Sequence, residues 1–178
     1  MDFTEKTLNQ KYVFNGRIMN VRVDDVILPN GKLADREVIE HNGGACIVPL
    51  TDDGEVLMVK QYRYPHERLF LEIPAGKLEK GEDPLECATR ELHEEVGMLS
   101  DNIVSLGNIV PTPAYDKEVI YMYLARSLKP TEQSLDEDEF LDVHSYKLDD
   151  LVEMVLKGEI EDAKTQTAIL KTKMLIEK

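Results

Sequence analysis

Three glutamates lie close together near the middle of the chain. Glu91, Glu94 and Glu95 occur in the segment GKLEKGEDPLECATRELHEEVGM, residues 76–98. On a helix, residues three and four apart have Cβ atoms only about 5–6 Å apart, so these charges repel one another. Carboxylate oxygens at this density suit Mg²⁺ or Mn²⁺, and Mg²⁺ usually binds together with substrate phosphates. The spacing indicates a metal site for a phosphate compound, and the alternative is an acidic helix face that is merely solvated.

The same segment carries the signals of a short helix. Asp83 is a suitable N-cap, Pro84 suits the first helical position, and Gly97 suits a left-handed stop. At about 100° per residue, the three glutamates lie on the side opposite a mainly apolar face. The predicted apolar face consists of Leu85, Ala88, Thr89, Leu92 and Val96.

The segment resembles the signature of the Nudix hydrolases, G-x5-E-x7-R-E-U-x-E-E-x-G-U, where U is a bulky aliphatic residue. Every specified position is matched. In order, the matching residues are Gly76, Glu82, Arg90, Glu91, Leu92, Glu94, Glu95, Gly97 and Met98. The chain is therefore identified as a member of this family, in which the signature binds divalent metal at a pyrophosphate.

The resemblance implies a role for each charged residue of the signature. Glu91 and Glu95 are expected to be the leading metal ligands, and Arg90 is expected to orient the glutamates by hydrogen bonding rather than contact substrate. The cofactor implied is Mg²⁺, with Mn²⁺ as an alternative, at two to three ions per site. Glu94 is expected to assist Glu91 and Glu95, and the Ala75 carbonyl is a further candidate ligand. Glu82 is expected to be either supportive, like Arg90, or a water-mediated ligand.

Outside the signature, the chain resembles the ADP-ribose pyrophosphatase branch of the family over most of its length beyond residue 15. The similar segments are KQYRY at 60–64, LEIPAG at 71–76 and GEIEDAKTQTAIL at 158–170. Pro113 also lies sixteen residues after Gly97, the spacing that marks this branch. The resemblance implies hydrolysis of ADP-ribose to AMP and ribose 5-phosphate.

The branch also implies residues that bind the substrate. Arg36 is expected against the adenine or its ribose, Arg63 on a phosphate, and Tyr115, just past Pro113, at the sugar pocket. Arginine can stack on a base and offers a planar fork to phosphate oxygens. The alternatives are a surface ion pair for Arg36, coverage of hydrophobic surface by Arg63, and a turn tyrosine with a satisfied hydroxyl.

The catalytic base of this branch is a glutamate on a loop outside the signature helix. The matching segment is SLDEDEF, residues 134–140. We expect Glu137 to be the base and Glu139 to be a further metal contact, and the two could exchange roles. Such an acidic run is usually a solvated loop, and only the resemblance favours function.

Two other functions stay open. The first is hydrolysis of another nucleoside diphosphate derivative, such as a nucleotide sugar, a dinucleoside polyphosphate or an oxidised nucleotide. The second is a nucleotide-binding sensor that does not catalyse. The complete set of signature glutamates argues against the sensor.

The composition favours an enzyme that acts on small molecules. A net charge of −14 at pH 7 argues against nucleic-acid partners, which require basic patches. No segment approaches the roughly 18 apolar residues of a membrane span, and the first residues do not resemble a signal peptide. Cys46 and Cys87 are too few for a disulfide scaffold or a zinc site and are expected in the core. We expect a cytoplasmic protein with no membrane partner.

The remaining elements must hold these side chains in place. Alternating or apolar runs predict strands over 17–28, 33–40, 44–50, 55–61, 70–73, 119–125 and 141–147. Helical periodicity predicts two further helices over 148–156 and 163–176. Strands interleaved with three helices indicate an α/β fold with a mixed sheet between helices. This reading agrees with the Nudix α/β/α sandwich that the resemblance implies.

The first two predicted strands form an antiparallel β-hairpin that precedes the core sheet. We therefore expect an N-terminal β extension at residues 1–42 and a catalytic domain at residues 43–178. Members of the branch are commonly homodimers in which N-terminal strands exchange. The resemblance thus implies a homodimer, with the extension as the dimerisation element.

Overall fold

The computed structural model describes residues 2–137 and 139–177, and the chain divides into two units. The first unit contains the chain up to Gly43 together with Val110–Val119. The second contains Gly44–Ile109 and the chain from Ile120 onward. The segment 110–119, which the predicted boundaries assign to the catalytic domain, thus groups with the N-terminal strands.

The first unit is a three-stranded antiparallel sheet in the order β1-β2-β3. Its strands are β1 (Lys6–Asn15), β2 (Met19–Ile27) and β3 (Leu33–His41). The hairpin of β2 and β3 confirms the prediction. Strand β1 was missed because all ten of its residues are exposed and no buried face imposes an alternating pattern. The Ile39 N–H donates to the Tyr115 carbonyl at 2.7 Å, which attaches the second segment of this unit to β3.

The described part of the second unit contains three sheets, three α-helices and a short 3-10 helix at Tyr64–His66. Its central sheet has the order β7-β4-β10-β9, and β12-β5-β6 and β11-β8 form the other two. The strands are β4 (Gly44–Pro49), β5 (Glu55–Arg63), β6 (Arg68–Glu72), β7 (Ala75–Lys77), β8 (Met98–Leu99), β9 (Asn102–Ile109), β10 (Ile120–Arg126), β11 (Lys129–Pro130) and β12 (Leu141–Lys147). The helices are α1 (Pro84–Val96), α2 (Leu148–Lys157) and α3 (Ala163–Ile176).

The central sheet is mixed, as predicted. Strand β10 pairs with β4 in parallel and with β9 in antiparallel, and β7 pairs with β4 in antiparallel. Strands β7, β8 and β11 were not predicted because two or three residues are too few to show a period. Strand β9 was also missed; Gly107, at φ +87°, and a register shift interrupt its pattern.

Strand β4 is buried on both faces, because helices cover the central sheet from both sides. Ala45 and Ile47 pack in the cluster that contains Ala88 and Leu92 of α1. Cys46 and Val48, which alternate with them, pack in the larger cluster that contains Ile169 of α3. This layering confirms the predicted α/β/α sandwich. Both cysteines are free and buried in these cores, as expected.

The described part of the chain contains no helix with the length and apolar character that a bilayer crossing requires.

Candidate active site

Helix α1 begins and ends where the sequence predicts. The Asp83 side chain accepts hydrogen bonds from the backbone N–H groups of Leu85 at 2.8 Å and Glu86 at 3.4 Å. Gly97 ends the helix at φ 65°, and its N–H donates back to the last turn. These caps satisfy backbone groups that the helix itself leaves without partners. The helix therefore has a defined register, which sets the direction of its glutamates.

The predicted inward face of α1 is partly wrong. Leu85 is 41% exposed and Thr89 is only half-buried, whereas Glu91 and Glu95 are 5% and 2% exposed. The helix packs on β4 and β7, so its buried face is rotated toward these two carboxylates. The buried residues are Cys87, Ala88, Glu91, Leu92, Glu95 and Val96. Two of the proposed metal ligands thus lie inside the protein rather than on a solvated face.

Arg90 holds three of the signature glutamates. Its Nε donates to Glu82 Oε1 at 3.1 Å, and its Nη1 donates to Glu91 Oε1 at 2.6 Å and Glu94 Oε2 at 2.9 Å. Glu82 also accepts the Glu79 N–H at 2.8 Å, which fixes the loop before the helix. Charge-assisted contacts of this kind are strong and directional. One guanidinium therefore sets the orientation of Glu82, Glu91 and Glu94.

Strand β7 brings its backbone against the buried carboxylates. The Ala75 N–H donates to Glu95 Oε2 at 2.9 Å. A Cβ placed on Gly76 would lie 1.6 Å from Glu91 Oε1, so any larger residue here would force the Glu91 carboxylate to move. Glycine leaves room for this carboxylate in the position that it occupies. Ala75 and Gly76, the first two residues of β7, thus form a close cradle around the carboxylates of Glu91 and Glu95.

Burial makes the ionised form of both buried glutamates costly. It raises the pKa of Glu91 to about 7, although the Arg90 charge acts in the opposite direction. Burial, together with the Glu91 charge, raises the pKa of Glu95 to about 8. The charge of Glu139 adds to the rise in pKa at both residues. A cation beside the pair would favour its ionised form.

The donor set fits a hard divalent cation by its chemistry. Glu91 and Glu95 supply buried carboxylate oxygens four residues apart, and Mg²⁺ prefers such ligands. Within residues 2–137 and 139–177, no three His, Cys, Asp or Glu side chains are arranged to hold a metal ion. In this arrangement Glu91 and Glu94 each direct an oxygen to Arg90. The assignment of metal ligands stays a prediction.

The two candidate bases have different surroundings. Glu139 is half-buried, its N–H donates to the Asp136 carbonyl at 3.0 Å, and its charge acts on Glu91 and Glu95. Glu137 is exposed. Glu139 therefore has an electrostatic connection to the buried pair. Which of the two is the base stays a prediction.

Arg63 makes a contact that was not predicted. Its Nε and Nη2 donate to the two carboxylate oxygens of Glu72, both at 2.7 Å. The Arg63 side chain is 38% exposed, and Glu95 is among the charges that raise the pKa of its guanidinium. The fork thus has a fixed partner in β6 in addition to any ligand. The predicted phosphate contact stays a prediction.

The other candidate substrate residues belong to the first unit. Arg36 forms an ion pair with Glu5 on the segment before β1, rather than with its neighbours along the chain. Pro113 is exposed, and Tyr115 is 54% exposed with its N–H directed to the Thr112 carbonyl at 3.4 Å. Their roles in substrate binding stay predictions.

A group of buried ions in the second unit was not predicted from the sequence. Glu72 is 2% exposed and Lys164 is 8% exposed, although charged residues are rarely so buried. The available signal for Glu72 was its position within the mostly apolar run LFLEIP, whereas the mostly polar segment EDAKTQTAIL gave no such signal for Lys164. Neither residue was considered as part of the site.

The chain is similar to known proteins over almost its whole length. A family model described as NUDIX domain matches residues 40–168, and one described as nucleoside diphosphate sugar hydrolase N-terminal domain matches residues 5–39. The ADP-ribose pyrophosphatase of Bacillus subtilis (strain 168) is 42% identical, over 93% of this chain and 90% of its own. The methanol dehydrogenase activator of Bacillus methanolicus is 41% identical, over 94% of this chain and 91% of its own. A crystal structure of an ADP compounds hydrolase, 23% identical, has the same fold with a TM-score of 0.88, and the match covers 99% of this chain and 97% of that one.

Proposed function

Because the chain belongs to the Nudix hydrolase family, we propose that it hydrolyses the pyrophosphate bond of ADP-ribose to give AMP and ribose 5-phosphate. The observation that carries this proposal is the buried pair Glu91 and Glu95, cradled by the backbone of Ala75 and Gly76. The printed activity of the Bacillus subtilis relative supports the choice of ADP-ribose.

The signature residues would hold the metal. The oxygens available are those of Glu91 and Glu95, with Glu82, Glu94 and the Ala75 carbonyl as further donors. Two to three Mg²⁺ ions, or Mn²⁺, are proposed; when bound, they would neutralise phosphate charge and lower the pKa of the attacking water. Arg90 keeps the carboxylates aligned through its three ion pairs.

The loop after β11 supplies the base. Glu137 takes a proton from the attacking water, with Glu139 as the further metal contact or, with roles exchanged, as the base itself. The water oxygen bonds to one phosphorus, the bridging P–O bond breaks, and the bridging oxygen leaves with the other phosphate. Arg63 holds a phosphate, and Arg36, Pro113 and Tyr115 contact the nucleoside or terminal ribose. No covalent enzyme intermediate is required.

The first unit is proposed to form a homodimer, with residues 1–42 as the dimerisation element and 43–178 as the catalytic domain. Large apolar side chains are exposed on this unit, and such exposure is typical of interaction surfaces. They include Leu8, Tyr12, Val13, Phe14 and Leu33. Light scattering should give twice the chain mass of 20.3 kDa. A fully active monomer would contradict this part of the proposal. We also propose a cytoplasmic location.

Product analysis of the purified protein tests the reaction. ADP-ribose is incubated with Mg²⁺ beside ADP-glucose, GDP-mannose, diadenosine polyphosphates and 8-oxo-dGTP. We expect AMP and ribose 5-phosphate, with ADP-ribose preferred. Glu95→Gln should lower turnover by at least about 100-fold, the scale of a lost acid–base or charge-stabilising group. Glu86→Gln, on the exposed first turn of the same helix, is the matched control and should keep wild-type turnover.

The other outcomes distinguish the alternatives. Faster turnover of another compound would keep the metal site and reject ADP-ribose as the substrate. Binding of nucleotides without turnover of any compound would favour the sensor.

A second candidate function follows from the Bacillus methanolicus relative, which is nearly as similar as the pyrophosphatase. We propose that the chain also stimulates a methanol dehydrogenase. The test is the rate of such a dehydrogenase with wild-type protein and with Glu95→Gln. Equal rates with and without the wild-type protein would reject this function and leave the hydrolase intact.

A further inference from the structure

A network of four buried or partly buried ions joins β5, β6 and the start of α3. Glu72 accepts both arms of the Arg63 fork and also the ammonium of Lys164. The Lys164 ammonium donates in addition to Asp162 Oδ2 at 2.9 Å. Lys164 thus connects a carboxylate of β6 to the N-cap residue of α3.

The charges in this network balance. Arg63 and Lys164 are positive, and Glu72 and Asp162 are negative. The side chains of Glu72 and Lys164 are only 3% and 10% exposed, so water replaces neither partner well. Removing one member of a buried pair leaves an uncompensated charge, which is strongly destabilising. Without Lys164, the two carboxylates would retain one guanidinium between them.

The network leads directly to the hydrolase site. The Ile73 N–H, one residue after Glu72, donates to Thr165 Oγ1 at 3.0 Å. Two residues further, the Ala75 N–H donates to Glu95 Oε2 at 2.9 Å. The first turn of α3 therefore holds the segment 72–75 from one side, while the signature helix holds it from the other.

We propose that Lys164 is a positioning residue of the hydrolase site, which fixes Glu72 and through it the Arg63 fork and the Ala75 contact to Glu95. The proposal rests on the proposed function for its catalytic consequence. Lys164 acts through Glu72 and Arg63 and does not contact substrate.

The position of Arg63 can be measured without any activity. The Arg63 Nε–H signal in an NMR spectrum is identified by its loss in Arg63→Gln, and its hydrogen exchange reports the contact with Glu72. We expect exchange at least about tenfold faster in Lys164→Met, because local opening becomes easier. Lys164→Arg should restore slow exchange. Lys173→Met, which breaks the ion pairs of α3 with Asp149 of α2 and with Glu177 at its own C-terminal end, should not change it.

The catalytic consequence is measured with ADP-ribose. Partners that orient a site from outside it typically contribute about 10–100-fold, so kcat/KM should fall by that factor in Lys164→Met and recover in Lys164→Arg. This loss of kcat/KM should arise because Arg63 is no longer held in position. In an Arg63→Gln background, Lys164→Met should therefore lower kcat/KM by less than about threefold, because interacting residues are not additive.

The possible results separate the two proposals. Unchanged Arg63 exchange in Lys164→Met, or the full loss of kcat/KM in the Arg63→Gln background, would overturn the positioning role while wild-type turnover still supports the hydrolase. No wild-type turnover of any compound would reject the proposed function, and the exchange measurement would still decide whether Lys164 fixes Arg63. If Lys164→Met does not fold, Lys164→Gln, which keeps a donor without the charge, replaces it with the same expectations.

Discussion

At the scale of single residues, Gly76 determines how closely the backbone approaches a buried carboxylate. Its missing side chain leaves the space in which Glu91 Oε1 lies. The need for glycine here is steric and does not come from a left-handed backbone, because Gly76 has no positive φ. Even a small side chain at position 76 should therefore displace Glu91 within the site.

Gly76→Ala should displace Glu91 and abolish most of the hydrolysis. Overpacking a tight site typically costs about 1–3 kcal/mol, so the free energy of unfolding should fall by that amount. Turnover of ADP-ribose and denaturant unfolding measure the two effects. Gly81→Ala is the matched control, because Gly81 has φ +85° with open space around it. The control should lose about 1–2 kcal/mol of stability and keep its turnover. Full activity in Gly76→Ala would contradict the role of Gly76 in leaving space for the Glu91 carboxylate.

Glu72 should make the protein sensitive to acid. Burial acts to raise its pKa, but Arg63 and Lys164 outweigh burial and lower the pKa from an ordinary 4.5 to about 2. A carboxyl with a lowered folded pKa contributes stability above its unfolded pKa and loses it as the pH falls toward the folded value. The contribution of Glu72 should therefore be complete above about pH 5 and disappear toward pH 2.

Glu72→Gln tests this pH dependence. Its melting temperature should lie well below that of the wild type at pH 7, and the difference should shrink as the pH falls to 3. Glu161→Gln is the control, because Glu161 pairs with Arg68 at the exposed surface, where ion pairs contribute little. A Glu72→Gln deficit that is constant with pH would show that packing rather than charge is responsible.

At the scale of secondary structure, α1 is the platform of the site. Its caps fix both ends, and its register places Glu91 and Glu95 against β7. The α1 platform is attached to the central sheet through Ala88 and Leu92, which are fully buried. A substitution at the start of α1 can therefore lower the stability of the protein without changing the chemistry at Glu91.

Asp83→Ala should destabilise the protein by about 0.5–2 kcal/mol, because two backbone N–H groups lose their acceptor. Thermal unfolding measures the loss. Turnover per folded molecule should stay close to wild type, because Asp83 lies two turns from Glu91. Glu86→Ala, which removes an acidic side chain from the same first turn without removing the cap, should cost only about 0.3–1 kcal/mol. A larger loss in Glu86→Ala than in Asp83→Ala would be the opposite of this expectation.

At the scale of the whole molecule, the net charge of −14 opposes the binding of an anionic substrate. An anionic protein repels an anionic nucleotide unless cations lie between them. When they are ionised, Glu91 and Glu95 concentrate part of this unfavourable charge at the site.

A chelator should abolish hydrolysis, and Mg²⁺ should restore it. Because a ligand that binds the folded state stabilises it, Mg²⁺ should also raise the melting temperature in a concentration-dependent way. General screening of the net charge would give a similar rise. The Glu95→Gln variant separates specific Mg²⁺ binding from general screening, because it keeps nearly all of the net charge but loses a proposed ligand. Its melting temperature should rise much less with Mg²⁺ than that of the wild type. An equal rise in both proteins would argue against a site at Glu95.

The local parts of this protein could be predicted from its sequence. The cap at Asp83, the stop at Gly97 and the hairpin of β2 and β3 depend on residues that are near one another along the chain. The exposed strand β1 could not be predicted because no buried face imposes a period on it, and the two- or three-residue strands are too short to show a period. The inward face of α1 was predicted with Leu85 inside and two glutamates outside, since periodicity assumes that buried positions are apolar.

The signature helix, the spacing of its glutamates and the mixed α/β class could all be predicted, because caps, helical period and strand patterns are local properties. The burial of Glu91 and Glu95, the close approach of Gly76 to Glu91, and the pairing of Glu72 with Lys164, 92 residues away, are properties of the folded chain. Burial and ion pairing depend on which distant segments pack together. The residues next to Glu72 and Lys164 along the chain do not indicate that these two side chains form an ion pair, because only the fold brings them into contact.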